Sequence, residues 1–61
     1  MANLTTKELS ALEDQIGQEK TLVKKYQSMA QMATDSAISQ SLNEFAQKHQ
    51  QHVTTLMSFF N

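Results

Sequence analysis

Three residues of this chain have the types and the spacing of a metal-binding cluster, namely Glu19, His49 and His52. His49 and His52 are three positions apart, so a helix would present both imidazoles on one face, where they can converge on one ion. Each of the three interrupts a repeat of apolar residues at a position where Leu, Ile or Val is expected. Core packing therefore does not explain them.

Two interpretations of the cluster stay open. One carboxylate and two imidazoles form a ligand set that suits a divalent metal such as Fe, Mn or Zn. The same groups can instead form a hydrogen-bonded polar layer that fixes helix register without a metal. Tyr26, seven residues after Glu19 on the same face, is either an ordinary core aromatic or a hydrogen-bonding support for the ligands.

Composition limits the classes of function. The chain has 61 residues, no Cys and a net charge of −1, so it has no disulfide framework and lacks the basic excess of a nucleic-acid-binding protein. It also contains no apolar run long enough for a membrane span, and we expect a cytoplasmic protein without a membrane partner. There is no Gly-rich phosphate loop and no nucleophile set against a base, so a non-enzymatic role is favoured and catalysis is left open.

The sequence predicts an all-α fold, because it has no Pro and a single Gly, and is rich in residues with high helix propensity. Thr5 and Glu8 form a capping-box pattern, which predicts a first helix over about 6–33. A cluster of N-cap residues predicts a turn at about 34–36 and a second helix over about 37–60. Gly17, in the middle of the first helix, indicates either a close helix approach or a local irregularity.

So short a turn predicts an antiparallel hairpin in a single domain, with Glu19 opposite His49, Ile16 opposite His52 and Tyr26 opposite Leu42. A register shifted by one helical turn would exchange these partners but keep Glu19 near His49 or His52. The apolar stripe of the second helix is predicted to run through Ile38, Leu42, Phe45, His49, His52, Leu56 and Phe59. This stripe is too wide for one partner helix. We therefore expect two hairpins to form a homodimeric four-helix bundle.

The pattern resembles the ferritin-like superfamily, in which one helix carries a Glu and the next a Glu-x-x-His. Glu19 matches the first helix, and His49-Gln50-Gln51-His52 stands where the Glu-x-x-His would be, with His49 replacing the Glu. Between Leu4 and Phe60 the chain also resembles the spore coat protein F family, in which a similar series of short motifs appears: Leu12-Glu13-Asp14, Glu19-Lys20, Lys24-Lys25-Tyr26 and His49-Gln50-Gln51-His52. The resemblance implies a ferritin-like bundle, association with spores and an altered metal site.

These observations predict a small structural or interaction protein, similar to spore coat components, whose partners are a second copy and other coat or assembly proteins. The first alternative is a minimal metal-binding protein of redox or storage type that uses Glu19, His49 and His52. A second alternative is an adaptor helix pair that completes its bundle with a different protein.

Overall fold

The computed structural model describes residues 3–60, which form two long helices and no strand. Helix α1 spans Thr6–Met32, helix α2 spans Ser36–Met57, and a 3-10 turn follows at Ser58–Phe60. The two helices pack side by side as an antiparallel hairpin, with α2 returning along α1. The predicted all-α hairpin is confirmed.

Both helices begin with side-chain caps. The Thr5 hydroxyl accepts a hydrogen bond from the Glu8 amide at 3.1 Å, and the Glu8 carboxylate accepts one from the Thr5 amide at 3.0 Å. Asp35 caps α2 by accepting a hydrogen bond from the Ile38 amide at 3.0 Å. These bonds satisfy amide groups that have no partner within the helix.

The connection between the helices consists of residues 33–35. Ala33 leaves the helical conformation at φ −72° and ψ 132°, so α1 ends at Met32, one residue before the predicted bound. Because Asp35 takes the N-cap, α2 begins at Ser36 rather than at 37. The Ser39 hydroxyl then donates to the Ala30 carbonyl at 2.9 Å and ties the two helices together next to the turn.

The core between the helices is made of small side chains. The buried apolar residues of the described chain are Val23, Ala30, Ala46 and Val53. Small residues at the centre of a helix pair allow the two backbones to approach closely, and the larger side chains are displaced to the flanks. The predicted stripe of α2 is wrong at Phe45 and His52, because the residue after each of them, Ala46 and Val53, is the buried one.

The displaced side chains form a face on one side of the hairpin. Ile38, Phe45 and Phe59, predicted as core, are 56%, 46% and 45% exposed. Together with His52 they recur every seven residues from α2 into the 3-10 turn, and Leu12, Glu19 and Tyr26 recur at the same spacing along α1, with the Glu19 side chain turned into the hairpin. We call these two adjoining rows the open face. The other side of the hairpin is polar, with a groove lined by Gln27, Asn43, Gln47 and Gln50.

The hairpin is one layer of helices thick, with extents of 46, 16 and 10 Å. A folded domain normally encloses its core between two packed layers, and this chain alone supplies one. Within residues 3–60, neither helix contains a stretch apolar and long enough to cross a membrane.

Gly17 lies on α1 with open space beside it. A Cβ atom built at this position would meet nothing within 4 Å. Of the two interpretations of Gly17, the close helix approach is therefore not found, and its backbone conformation is ordinary, because no residue in the described chain has a positive φ.

Candidate metal centre

The cluster predicted from the sequence forms halfway along the hairpin. Glu19 is the middle residue of α1, and its carboxylate points toward α2 between the two histidines. The Nδ1 atom of His49 lies 2.9 Å from Glu19 Oε1, and the Nδ1 atom of His52 lies 2.6 Å from Glu19 Oε2. Each carboxylate oxygen thus has its own imidazole. The predicted pairing of Glu19 with His49 is confirmed, and His52 bonds to the same carboxylate.

The direction of these hydrogen bonds follows from the charge of Glu19. Burial raises the pKa of Glu19, but the hydrogen bonds from His49 and His52 and the charge of these imidazoles outweigh burial and hold the pKa below its ordinary value of 4.5. At neutral pH the carboxylate is ionised and can only accept. Both Nδ1 atoms therefore carry the proton, and in a neutral imidazole the lone pair is then on Nε2.

The three side chains differ greatly in exposure. The Glu19 side chain is 7% exposed, that of His49 is 22% exposed and that of His52 is 58% exposed. Within residues 3–60, every buried side-chain nitrogen and oxygen has a hydrogen-bond partner. The cluster therefore connects a fully paired buried carboxylate to an imidazole on the open face.

Aromatic contacts hold the histidine rings in place. The ring of Tyr26 stacks on that of His49, with centroids 5.5 Å apart and planes 5° from parallel. The His49 and His52 rings meet edge to face, with centroids 5.4 Å apart. The predicted hydrogen bond from Tyr26 to the cluster is not present within the described residues; Tyr26 contacts the cluster by stacking on the ring of His49.

Sequence reasoning missed the contact between Tyr26 and Phe45, whose ring centroids are 5.7 Å apart. Leu42 was the expected partner of Tyr26. The seven-residue spacing could have indicated this contact. Tyr26 follows Glu19 by seven residues, and Phe45 precedes His52 by seven. In an antiparallel hairpin, a contact between Glu19 and His52 therefore implies one between Tyr26 and Phe45, two helical turns nearer the connection.

Glu19, His49 and His52 lie close enough together to hold a metal ion. Each offers one ligand atom, and the three atoms lie within 4.8 Å of one another. At 2.6 and 2.9 Å the N···O distances are those of hydrogen bonds, so the geometry described here is that of the polar layer. A cation bound by these same atoms would replace the two shared protons.

Comparisons with protein-family models, with curated proteins and with solved structures gave no match to this chain. The resemblance to the ferritin-like superfamily and to spore coat protein F stays a prediction that rests on the residues quoted above.

Proposed function

We propose that this chain is a small structural or interaction protein that pairs with a second copy to form a homodimeric, ferritin-like four-helix bundle. The observation that carries the proposal is the open face, on which Ile38, Phe45 and Phe59 are about half exposed while the hairpin buries only small apolar residues. A second hairpin laid on this face supplies the missing layer and covers the large side chains.

The size of the face suits a stable dimer. The hairpin as a whole extends 46 by 16 Å, so one side of it has a projected area of roughly 700 Å², comparable with the ~800 Å² that each partner buries in a standard protein interface. The open face is also chemically self-complementary, because along both helices the positions of Glu19 and His52 have apolar residues of the open face before and after them. A chain of this size with no disulfide gains its stability most readily from such an association.

The test is the molar mass in solution, measured by light scattering and analytical ultracentrifugation. We expect a mass of twice 6.9 kDa, and we expect Phe45→Glu to shift it to the single-chain value. Gln47→Glu adds the same charge to an exposed position on the polar side and is the matched control. Since Phe45 also packs on Tyr26, Ile38→Glu at a more exposed position serves as a second variant, with helicity checked by circular dichroism.

A wild-type chain that is fully helical and monomeric at millimolar concentration would contradict the proposal. A chain that is poorly folded alone and becomes ordered only with a different protein would favour the adaptor alternative.

The resemblance to spore coat protein F supports a spore-associated role, in which the dimers join other coat or assembly proteins. Immunogold labelling of sporulating cells of the source organism tests this part of the proposal. We expect label over the spore coat, and label confined to the cytoplasm of vegetative cells would contradict it.

A second candidate function is a minimal metal-binding protein of redox or storage type. The specific observation that favours it is the convergence of Glu19, His49 and His52 within 4.8 Å, with a donor set that suits Fe, Mn or Zn. Elemental analysis of untagged protein purified without chelators tests it. Near-integral metal that is lost in a His49→Gln, His52→Gln double variant would support this candidate, whereas a metal-free, folded dimer that takes up no added metal would contradict it.

A further inference from the structure

We propose that the second copy completes a divalent-cation site, in which the two His52 side chains of the dimer bind one zinc-class ion through their Nε2 atoms. This inference rests on the proposed homodimer and adds to it a shared ligand site. The site lies on the open face, outside the contacts between Glu19 and the Nδ1 atoms, and one chain alone supplies only half of it.

The first support is the way in which Glu19 holds His52. The Nδ1 atom of His52 donates to Glu19 Oε2 at 2.6 Å, and Glu19 lies almost wholly inside the hairpin. The ring edge that carries Nε2 is on the far side from Nδ1, and the side chain is 58% exposed. The carboxylate thus fixes the tautomer of an imidazole that is more than half exposed, with its lone pair on Nε2. A carboxylate bonded to the other nitrogen is the usual partner of a metal-binding histidine.

His49 differs from His52 in this respect. Its side chain is 22% exposed, and one face of its ring is covered by Tyr26. His49 thus belongs to the interior of the hairpin, whereas His52 belongs to the surface on which a second copy docks.

The second support is the register that Glu19 and His52 impose on the two hairpins of the dimer. Glu19 is the middle residue of α1, since Thr6–Met32 extends equally on either side of it. A two-fold axis at this level lays α1 along its whole length against the partner and brings His52 of one copy to the other. A slide by seven residues, about 10 Å at 1.5 Å per residue, would instead place His52 against Tyr26 and Phe45, where no second imidazole faces it.

The chemistry of two facing imidazoles selects the ion. Neutral imidazole nitrogen is a borderline ligand that suits Zn²⁺, and two such nitrogens with water in the remaining positions give an open tetrahedral site. Each Glu19 stays hydrogen-bonded behind its histidine, so the carboxylates orient the ligands without binding the ion.

The experiment is a titration of chelator-stripped protein with zinc chloride, followed by isothermal calorimetry and by sedimentation. We expect one Zn²⁺ for every two chains. At a free zinc concentration about 100 times the dissociation constant of the site, the dimer dissociation constant should fall about 100-fold, because zinc binds the dimer and not the single chain. His52→Gln should abolish both effects and leave a zinc-free dimer.

Two matched variants separate this site from one within a single chain. His49→Gln should keep the stoichiometry of one ion to two chains, because Nε2 of His49 is not a ligand. Glu19→Gln should weaken zinc binding about 10-fold to 100-fold, because it removes the carboxylate that orients His52. For each variant, sedimentation and circular dichroism in chelator confirm that the dimer and its helices are retained.

The possible failures are distinguishable. One Zn²⁺ per chain, lost equally in His49→Gln and His52→Gln, would overturn the shared site and assign the ion to the cluster within one hairpin. A dimer whose stability does not respond to 100 µM zinc chloride would overturn the shared site and leave the homodimer standing. A chain that is monomeric both with and without zinc would overturn the homodimer and the shared site together.

Discussion

His52 and Glu19 are joined by a 2.6 Å hydrogen bond that links the surface of the hairpin to its interior. The imidazole is more than half exposed, whereas the carboxylate is almost fully enclosed and also accepts a hydrogen bond from His49. Each oxygen of the buried carboxylate therefore has its own histidine as a hydrogen-bond donor. This arrangement explains how a carboxylate can stand at the centre of so small a core.

The first prediction concerns stability in acid. Because the pKa of Glu19 is lower in the folded chain than its ordinary value of 4.5, the unfolded chain binds the proton more readily. The contribution of Glu19 to the free energy of unfolding is then fully present above about pH 4.5 and is lost as the pH falls through the lower folded pKa. Urea denaturation between pH 3 and pH 7 measures it.

Two variants show how much of the loss of unfolding free energy at low pH comes from each carboxylate. Glu19→Gln should flatten the acid limb and lower stability at pH 7, because a neutral amide cannot accept from both imidazoles. Glu8 also has a lowered pKa, caused by the hydrogen bonds from the amide and hydroxyl of Thr5, so Glu8→Gln should remove a separate part of the same limb. An unchanged pH profile in Glu19→Gln would contradict the assignment.

The second prediction concerns the core. Val53 is 2% exposed, and Val53→Ala removes apolar volume from the core between the two helices. We expect a loss of about 2 kcal/mol in the free energy of unfolding. Thr55→Ser, a smaller truncation at an exposed position of the same helix, is the control and should change stability by less than about 0.5 kcal/mol. Equal effects of the two changes would show that Val53 is not in the core.

The third prediction concerns Gly17. Since a Cβ atom at this position meets nothing within 4 Å, Gly17→Ala should raise the free energy of unfolding by about 0.5–1 kcal/mol through helix propensity. Gln18→Gly, the reverse change at the exposed neighbour, should lower it by a similar amount. Thermal denaturation of both variants checks the pair. Destabilisation by Gly17→Ala would reveal a neighbour that the isolated hairpin lacks.

The fourth prediction concerns the start of α1. Thr5→Ala removes the hydroxyl that accepts from the Glu8 amide, and it should cost about 1 kcal/mol. Thr5→Ser keeps the acceptor and should lie close to the wild type, while Thr6→Ala one residue further on should have little effect. Chemical denaturation ranks the three variants, and equal stabilities of Thr5→Ala and Thr5→Ser would argue against the cap.

The hairpin and its polar cluster could be predicted from the sequence for physical reasons. A Glu and two His residues that interrupt an apolar stripe must find partners, and an antiparallel hairpin brings them opposite each other. The caps at Thr5 and Asp35 are local features, so their positions could be read within about one residue.

The buried edge of α2 could not be predicted in the same way. Phe45 belongs to the predicted apolar stripe and its neighbour Ala46 does not, although the two residues point only about 100° apart around the helix. Periodicity locates the stripe but does not say which edge faces α1. The choice depends on how closely the backbones approach, and close approach selects Ala46 and leaves Phe45 on the open face.

The short connection between the helices also sets the order in which the hairpin assembles. The bond from Ser39 to Ala30 spans 9 residues, whereas those from His49 and His52 to Glu19 span 30 and 33. The entropy lost on closing a loop grows with its length, so contacts beside the turn form first and the helices zip outward from there. The carboxylate then meets its histidines between helices that are already aligned, and its charge leaves water only when both partners are at hand.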